Sequence, residues 1–194
     1  MCHGMYCSGS SLNSFKRKKI ICVFPESPTR TISWPDGLET NVKSWYNYYT
    51  RNDGKCAHDL IEQRNFISQS RRLQLIIKKY CMLYGNKNVF VGGYSQGGTI
   101  VADAAMRLGI SIGGLILCRS CFLNNMSPIC TKFPILIMAG KYDQIYPLKF
   151  QKRCMKRLNN KKLIVDDTLD HFKFSRKEIQ YVLSWIMSNS EGSL

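Results

Sequence analysis

The sequence predicts an α/β fold: a mostly parallel sheet with helices on both faces. Three observations predict it. Short β-branched apolar runs alternate with longer segments of helical period. The runs are apolar throughout instead of alternating with polar residues, as in strands covered on both sides. One of them, Asn88–Val91, passes straight into Gly92-Gly93-Tyr94-Ser95-Gln96-Gly97-Gly98, a glycine-rich strand-to-helix turn. The chain has 194 residues, the length of one domain, and no repeat, low-complexity tract or linker divides it, so residues 1–194 read as a single domain.

Lys19–Phe24, closed by Pro25, reads as the first buried strand. Residues 25–55 are rich in Pro, Gly, Ser, Thr and aromatics without helical period, an excursion of the kind that carries function. Across residues 58–84, Leu60, Ile61, Phe66, Ile67, Leu73, Ile76, Ile77 and Tyr80 recur at helical spacing, and Gly85-Asn86 ends that helix. Asn88–Val91 is the next strand. Thr99–Leu108 is an alanine-rich helix stopped by Gly109. Gly114–Cys118 and Phe133–Ala139 are strands, Leu148–Leu158 a basic amphipathic helix, and Lys162–Val165 a short strand. Arg176–Met187 closes the chain as a helix with Ile179, Val182, Leu183 and Ile186 on one face.

Composition removes several classes. Apolar residues are 44% and charged residues 21%, close to the globular average, so a disordered or fibrous chain is excluded. Gly113–Cys118 and Phe133–Gly140 are the longest apolar runs, far short of the ~20 residues of a membrane span. The first ten residues lack a charged region followed by an apolar stretch and do not read as a signal peptide. The nine cysteines are odd in number and read as free thiols of a reducing cytoplasm. Cys118-Arg119-Ser120-Cys121 is a C-x-x-C, but no second pair with zinc-ligand spacing accompanies it, so no metal is expected. The net charge of +15 is dispersed between apolar runs and reads as a solvated surface; no nucleic-acid partner is expected.

Gly93-Tyr94-Ser95-Gln96-Gly97 is a G-x-S-x-G with an apolar strand before it and a helix after it. That context presents a serine hydroxyl at the C-terminal edge of the sheet, beside a helix N-terminus that favours developing negative charge. A serine nucleophile needs a base, and the base an orienting acid. Of the three histidines, His3 and His58 precede Ser95, and only His171 follows it, between the last strand and the last helix. The order Ser, acid, His on this architecture selects His171. Asp143 is the only acid in the loop Gly140–Pro147, whereas Asp166, Asp167 and Asp170 crowd the loop of His171 itself.

With these residues in place the sequence resembles the acyl-protein thioesterase, lysophospholipase and carboxylesterase family of the α/β-hydrolase superfamily. Gly92–Gly98 resembles the family's nucleophile segment G-F-S-Q-G-G, and Phe24-Pro25-Glu26-Ser27-Pro28-Thr29-Arg30 its F-P-x-A-P-x-R segment. Ser44-Trp45-Tyr46 resembles S-W-Y-D, with Asn47 where aspartate is usual. Gly140–Pro147 matches the G-x-x-D-x-x-V-P acid loop, and His171 falls where the family's histidine does. His3–Gly9 resembles the H-G-x-G-D-x-G oxyanion loop, with Tyr6 and Cys7 replacing a Gly-Asp pair. The resemblance implies an oxyanion hole from the backbone N–H groups of Met5 and Gln96. Only Met1 and Cys2 precede His3 where the family has strands. A sheet truncated at its N-terminal strands, with an exposed edge and an oxyanion loop that has lost its anchor, is therefore expected.

The expected chemistry is hydrolysis of carboxylic esters or thioesters through an acyl-enzyme, with Ser95, His171 and Asp143 as the catalytic residues and no cofactor. The resemblance implies S-acylated proteins, lysophospholipids or short acyl esters as substrates. Trp45 and Tyr46 are candidates to line an acyl pocket, against core packing as the alternative. The basic surface suits an anionic membrane. A catalytically weakened or inactive hydrolase-fold protein that binds without turnover is the competing expectation.

Overall fold

The computed structural model describes residues 1–18, 20–33, 37–49, 61–122, 132–156 and 158–190. Four strands, β3 (Phe90–Tyr94), β4 (Gly114–Cys118), β5 (Ile135–Gly140) and β6 (Lys161–Asp166), form one parallel sheet in that order. A separate antiparallel pair, β1 (Thr29–Ile32) and β2 (Glu39–Lys43), precedes them. The helices are α1 (Gln63–Tyr84), α2 (Gln96–Met106), α3 (Leu148–Met155) and α4 (Arg176–Asn189).

Side chains alternate across the sheet and build two cores. Leu115, Leu117, Ile135 and Ile137 point to the face covered by α1 and α2, where Leu73, Ile77, Ile100 and Val101 meet them. Ile116, Cys118, Leu136 and Met138 point to the opposite face, against Ile179 and Val182 of α4 and Leu12 and Phe15 of a 3-10 turn over Gly9–Phe15. With both faces covered, β4 and β5 carry no exposed position, which is why their sequences are continuous apolar runs.

The α/β architecture is the expected one. Three local expectations are corrected. Ile20–Phe24 forms no strand: Ile20 makes only an isolated bridge to Arg17, and Ile21 is 66% exposed. Helix α1 starts at Gln63, because Ile61 pairs with Tyr48 instead of continuing the helix; residues 58–60 lie outside the described residues. The oxyanion loop keeps an anchor. Cys2 donates its N–H to the Gly92 carbonyl (2.8 Å) and accepts from the Tyr94 N–H (3.0 Å), so one bridge holds the loop to β3.

Candidate active site

Ser95 lies between β3 and α2 with φ 53° and ψ −127°, a left-handed conformation that L-residues with side chains avoid. The turn is so tight that glycine is obligatory on both sides. A Cβ on Gly97 would run into the carbonyls of Cys2 and His3, and one on Gly93 into the backbone of Gly97. Ser95 N–H donates to the Cys118 carbonyl (3.0 Å), and Ser120 Oγ donates to the Ser95 carbonyl (2.9 Å). The Ser95 hydroxyl therefore stands at the C-terminal edge of the sheet, at the N-terminus of α2.

The loops after β5 and β6 reach the same edge. His171 Nε2 is 3.0 Å from Ser95 Oγ, and His171 Nδ1 is 3.0 Å from both Oδ1 and Oδ2 of Asp143. All three side chains are nearly buried. Asp143 Oδ1 also accepts the backbone N–H groups of Ile145 (3.0 Å) and Tyr146 (2.7 Å), which fixes the carboxylate plane. Asp143 accepts at Nδ1, so Nδ1 carries the ring proton and Nε2 is free to accept from the serine. The structure thus brings Ser95, His171 and Asp143 together. Asp166 and Asp170 are engaged elsewhere: Asp166 accepts from Thr168 and Ser175, Asp170 from the N–H groups of Phe172 and Lys173. His58 lies outside the described residues.

Met5 and Gln96 flank Ser95. A Cβ added at Gly4 would lie 3.3 Å from the Ser95 Cβ, and Met5 Sδ is 3.9 Å from Gln96 Nε2. Among the described residues no hydrogen bond engages the backbone N–H of Met5 or Gln96. His3 is wholly buried; its Nε2 accepts the Ser27 N–H (3.0 Å), and Nδ1 is 2.7 Å from the Gly4 carbonyl.

The sequence model of one family matches residues 1–188: Abhydrolase_2, phospholipase/carboxylesterase. The chain belongs to the phospholipase/carboxylesterase family. The fold is similar to three solved structures. Arabidopsis thaliana SOBER1 superposes with a TM-score of 0.81 at 19% identity, covering 97% of this chain and 96% of that one. Zea mays acyl-protein thioesterase 2 gives 0.73 at 16%, covering 97% and 91%. The Bacillus cereus carboxylesterase gives 0.69 at 14%, covering 96% and 85%. No curated protein matches the sequence.

In this phospholipase/carboxylesterase chain, Trp45 and Tyr46 do not line an open pocket. Both are 0% exposed. Trp45 Nε1 donates to the His3 carbonyl (2.8 Å), and Tyr46 packs edge-on against Phe66 and Tyr48. Their physical role is to tie the Ser44–Tyr46 segment to the loop beside Ser95. Gln96 is the hub of that tie. Its Oε1 accepts the Trp45 N–H (2.8 Å), and its Nε2 donates to Ser44 Oγ (3.0 Å) and the Tyr46 carbonyl (2.8 Å).

Sequence reasoning missed the support behind His171. Arg119, wholly buried, donates from Nε to the His171 carbonyl (3.2 Å) and from Nη1 to Glu178 Oε1 of α4 (2.7 Å). Tyr94 donates its hydroxyl to the same carbonyl. The Cys118–Cys121 stretch thus matters for its two central residues, Arg119 beneath the histidine and Ser120 beneath the serine. The cue was a charged residue directly after a fully apolar strand, which nothing about the C-x-x-C spacing distinguishes.

Proposed function

We propose that this chain is a serine hydrolase that cleaves carboxylic esters or thioesters by a Ser95–His171–Asp143 triad. The observation that carries the reading is the unbroken line Ser95 Oγ, His171 Nε2, His171 Nδ1, Asp143, at 3.0 Å per step. Ser95 Oγ attacks the acyl carbonyl while His171 Nε2 takes its proton. Asp143 holds the Nδ1–H tautomer and stabilises the imidazolium. The N–H groups of Met5 and Gln96 receive the oxyanion, a contribution of ~10²–10³ in rate per donor in comparable sites. His171 returns the proton to the leaving alcohol or thiol, and water, activated by the same imidazole, hydrolyses the acyl-enzyme.

Substrates of this reading are S-acylated proteins, lysophospholipids or short acyl esters, met at an anionic membrane surface. Phe172, 69% exposed and in ring contact with His171, supports an acyl substrate. Tyr142, 57% exposed beside Lys141, and Lys173 next to Phe172 support the anionic surface. The free thiols, buried Cys2, Cys81, Cys118, Cys121 and Cys154 among them, are consistent with a cytoplasmic setting. No described helix is long and apolar enough to cross a membrane.

The test is hydrolysis of p-nitrophenyl esters of increasing chain length, beside an S-acylated peptide and a lysophospholipid, with and without anionic vesicles. Ser95→Ala is expected to lower kcat by ~10⁴–10⁶ and Asp143→Asn by ~10⁴. A folded Ser95→Ala protein that keeps the wild-type rate refutes the triad. A rate unchanged by vesicles removes the membrane surface from the reading.

A further inference from the structure

A wholly buried amide stands behind Asp143. Gln151 lies one turn into α3, its N–H bonded to the carbonyl of Pro147 (3.0 Å), which opens the helix. Side chains on a helix lean toward its N-terminus, so this one reaches back over the turn that carries Asp143. Its Nε2 donates to the Tyr146 carbonyl (2.6 Å) and, at longer range, to Asp143 Oδ2 (3.4 Å). The opposite amide orientation would set Oε1 against a carbonyl and a carboxylate, so the two acceptors decide which end faces them.

The donors on Asp143 divide unevenly. Oδ1 accepts two backbone N–H groups, those of Ile145 and Tyr146. Among the described residues, Oδ2 has only His171 Nδ1 and Gln151 Nε2. Apart from the imidazole it has to steer, that oxygen is held by Gln151. The same nitrogen pins Tyr146, whose N–H is on Oδ1 and whose ring centre lies 5.4 Å from that of His171.

The other end of the amide argues against a space-filling role. Gln151 Oε1 is buried and has no partner among the described residues. An unpaired buried acceptor costs stability. Methionine would fill the same length without that cost. What glutamine adds is Nε2, in contact with Asp143 and its turn.

We infer that Gln151 is a positioning residue for Asp143: it anchors the carboxylate oxygen that backbone donors leave free and thereby sets the His171 imidazole against Ser95. This role rests on the triad proposed for Ser95, His171 and Asp143. A neutral donor suits it. An amide steadies the carboxylate without offsetting the negative charge that the imidazolium needs, as a cation there would.

Gln151→Met and Gln151→Glu test this on the full chain. Met keeps the length and removes the donor; Glu keeps the shape and turns an oxygen toward Asp143 Oδ2 and the Tyr146 carbonyl. With a p-nitrophenyl ester, Gln151→Met is expected to lower kcat by ~10–100-fold at unchanged KM, and Gln151→Glu to lower it further. In the proton NMR spectrum, the wild type is expected to show a far-downfield resonance from the His171 Nδ1–H shared with Asp143. That resonance shifts and exchanges faster with water in Gln151→Met. A packing role would lower stability and leave both the kcat of the folded protein and the resonance alone. Either a wild-type kcat or an unmoved resonance in folded Gln151→Met overturns the role of Gln151 while the triad stands. A wild type with neither the resonance nor a fluorophosphonate adduct on Ser95 overturns the triad, and this role with it.

Discussion

Ser95, Tyr6 and Arg119 have φ of 53°, 61° and 44°, and all three border the same site. Each such conformation costs on the order of 1–3 kcal/mol and persists only where its surroundings hold it. At Ser95 the Cys118 carbonyl and the Ser120 hydroxyl do so; at Tyr6 the N–H bonds the Lys43 carbonyl (2.9 Å). His3 is held by protonation state as well as by shape. Its Nε2 accepts from Ser27 only when neutral. Burial lowers its pKa below the ordinary histidine value, outweighing the Gly4 hydrogen bond and Glu26, which raise it. A pKa lower in the fold than in the unfolded chain supports the fold above about 6.5 and withdraws that support as pH falls. Thermal unfolding from pH 7.5 to 5 is therefore expected to show a loss of stability in the wild type that is smaller in His3→Gln. Equal slopes would show that His3 takes up protons alike in the folded and the unfolded chain, and would contradict this.

The connection from β3 to α2 carries the site, and Gln96 fastens it to the Ser44–Tyr46 segment. Gln96→Ala leaves the buried Trp45 N–H unpaired, at a cost of ~1–3 kcal/mol in urea unfolding. Hydrolysis should fall as well, since the loop bearing Met5 loses its neighbour. At this scale the sequence was legible where an element's own residues decide it. Gly114–Cys118 and the Arg176 start of α4 were readable because a doubly covered run and an amphipathic period are internal signals. Ile20–Phe24 is richer in β-branched residues than β4, but a strand also needs a partner, and the run contains no record of one. β1 and β2 went unseen because Thr29–Ile32 and Glu39–Lys43 expose most of their residues and carry no apolar alternation. Trp45 and Tyr46 were legible as important and not as buried, since an aromatic run fits a pocket wall and a core equally well.

Across the whole molecule, the buried pair Arg119–Glu178 joins the end of β4 to α4 and stands beneath the His171 carbonyl. One nitrogen of Arg119 and one oxygen of Glu178 have no partner among the described residues. The pair is therefore imperfectly compensated, and its removal as a unit differs from breaking it. Glu178→Leu alone is expected to cost ~3–5 kcal/mol in urea unfolding, because it strands a buried guanidinium. Arg119→Met with Glu178→Leu should recover most of that loss. A double variant as unstable as the single one would contradict this. The sequence could indicate Ser95, His171 and Asp143 from order and loop position, but not this pair, whose members lie 59 residues apart. The most direct measurement of the central claim is covalent labelling with a fluorophosphonate, read by intact mass and peptide mapping. One adduct on Ser95 is expected in the wild type, none in folded Ser95→Ala, and strongly slowed labelling in His171→Ala. An unlabelled wild type, or an adduct elsewhere that survives Ser95→Ala, would contradict it.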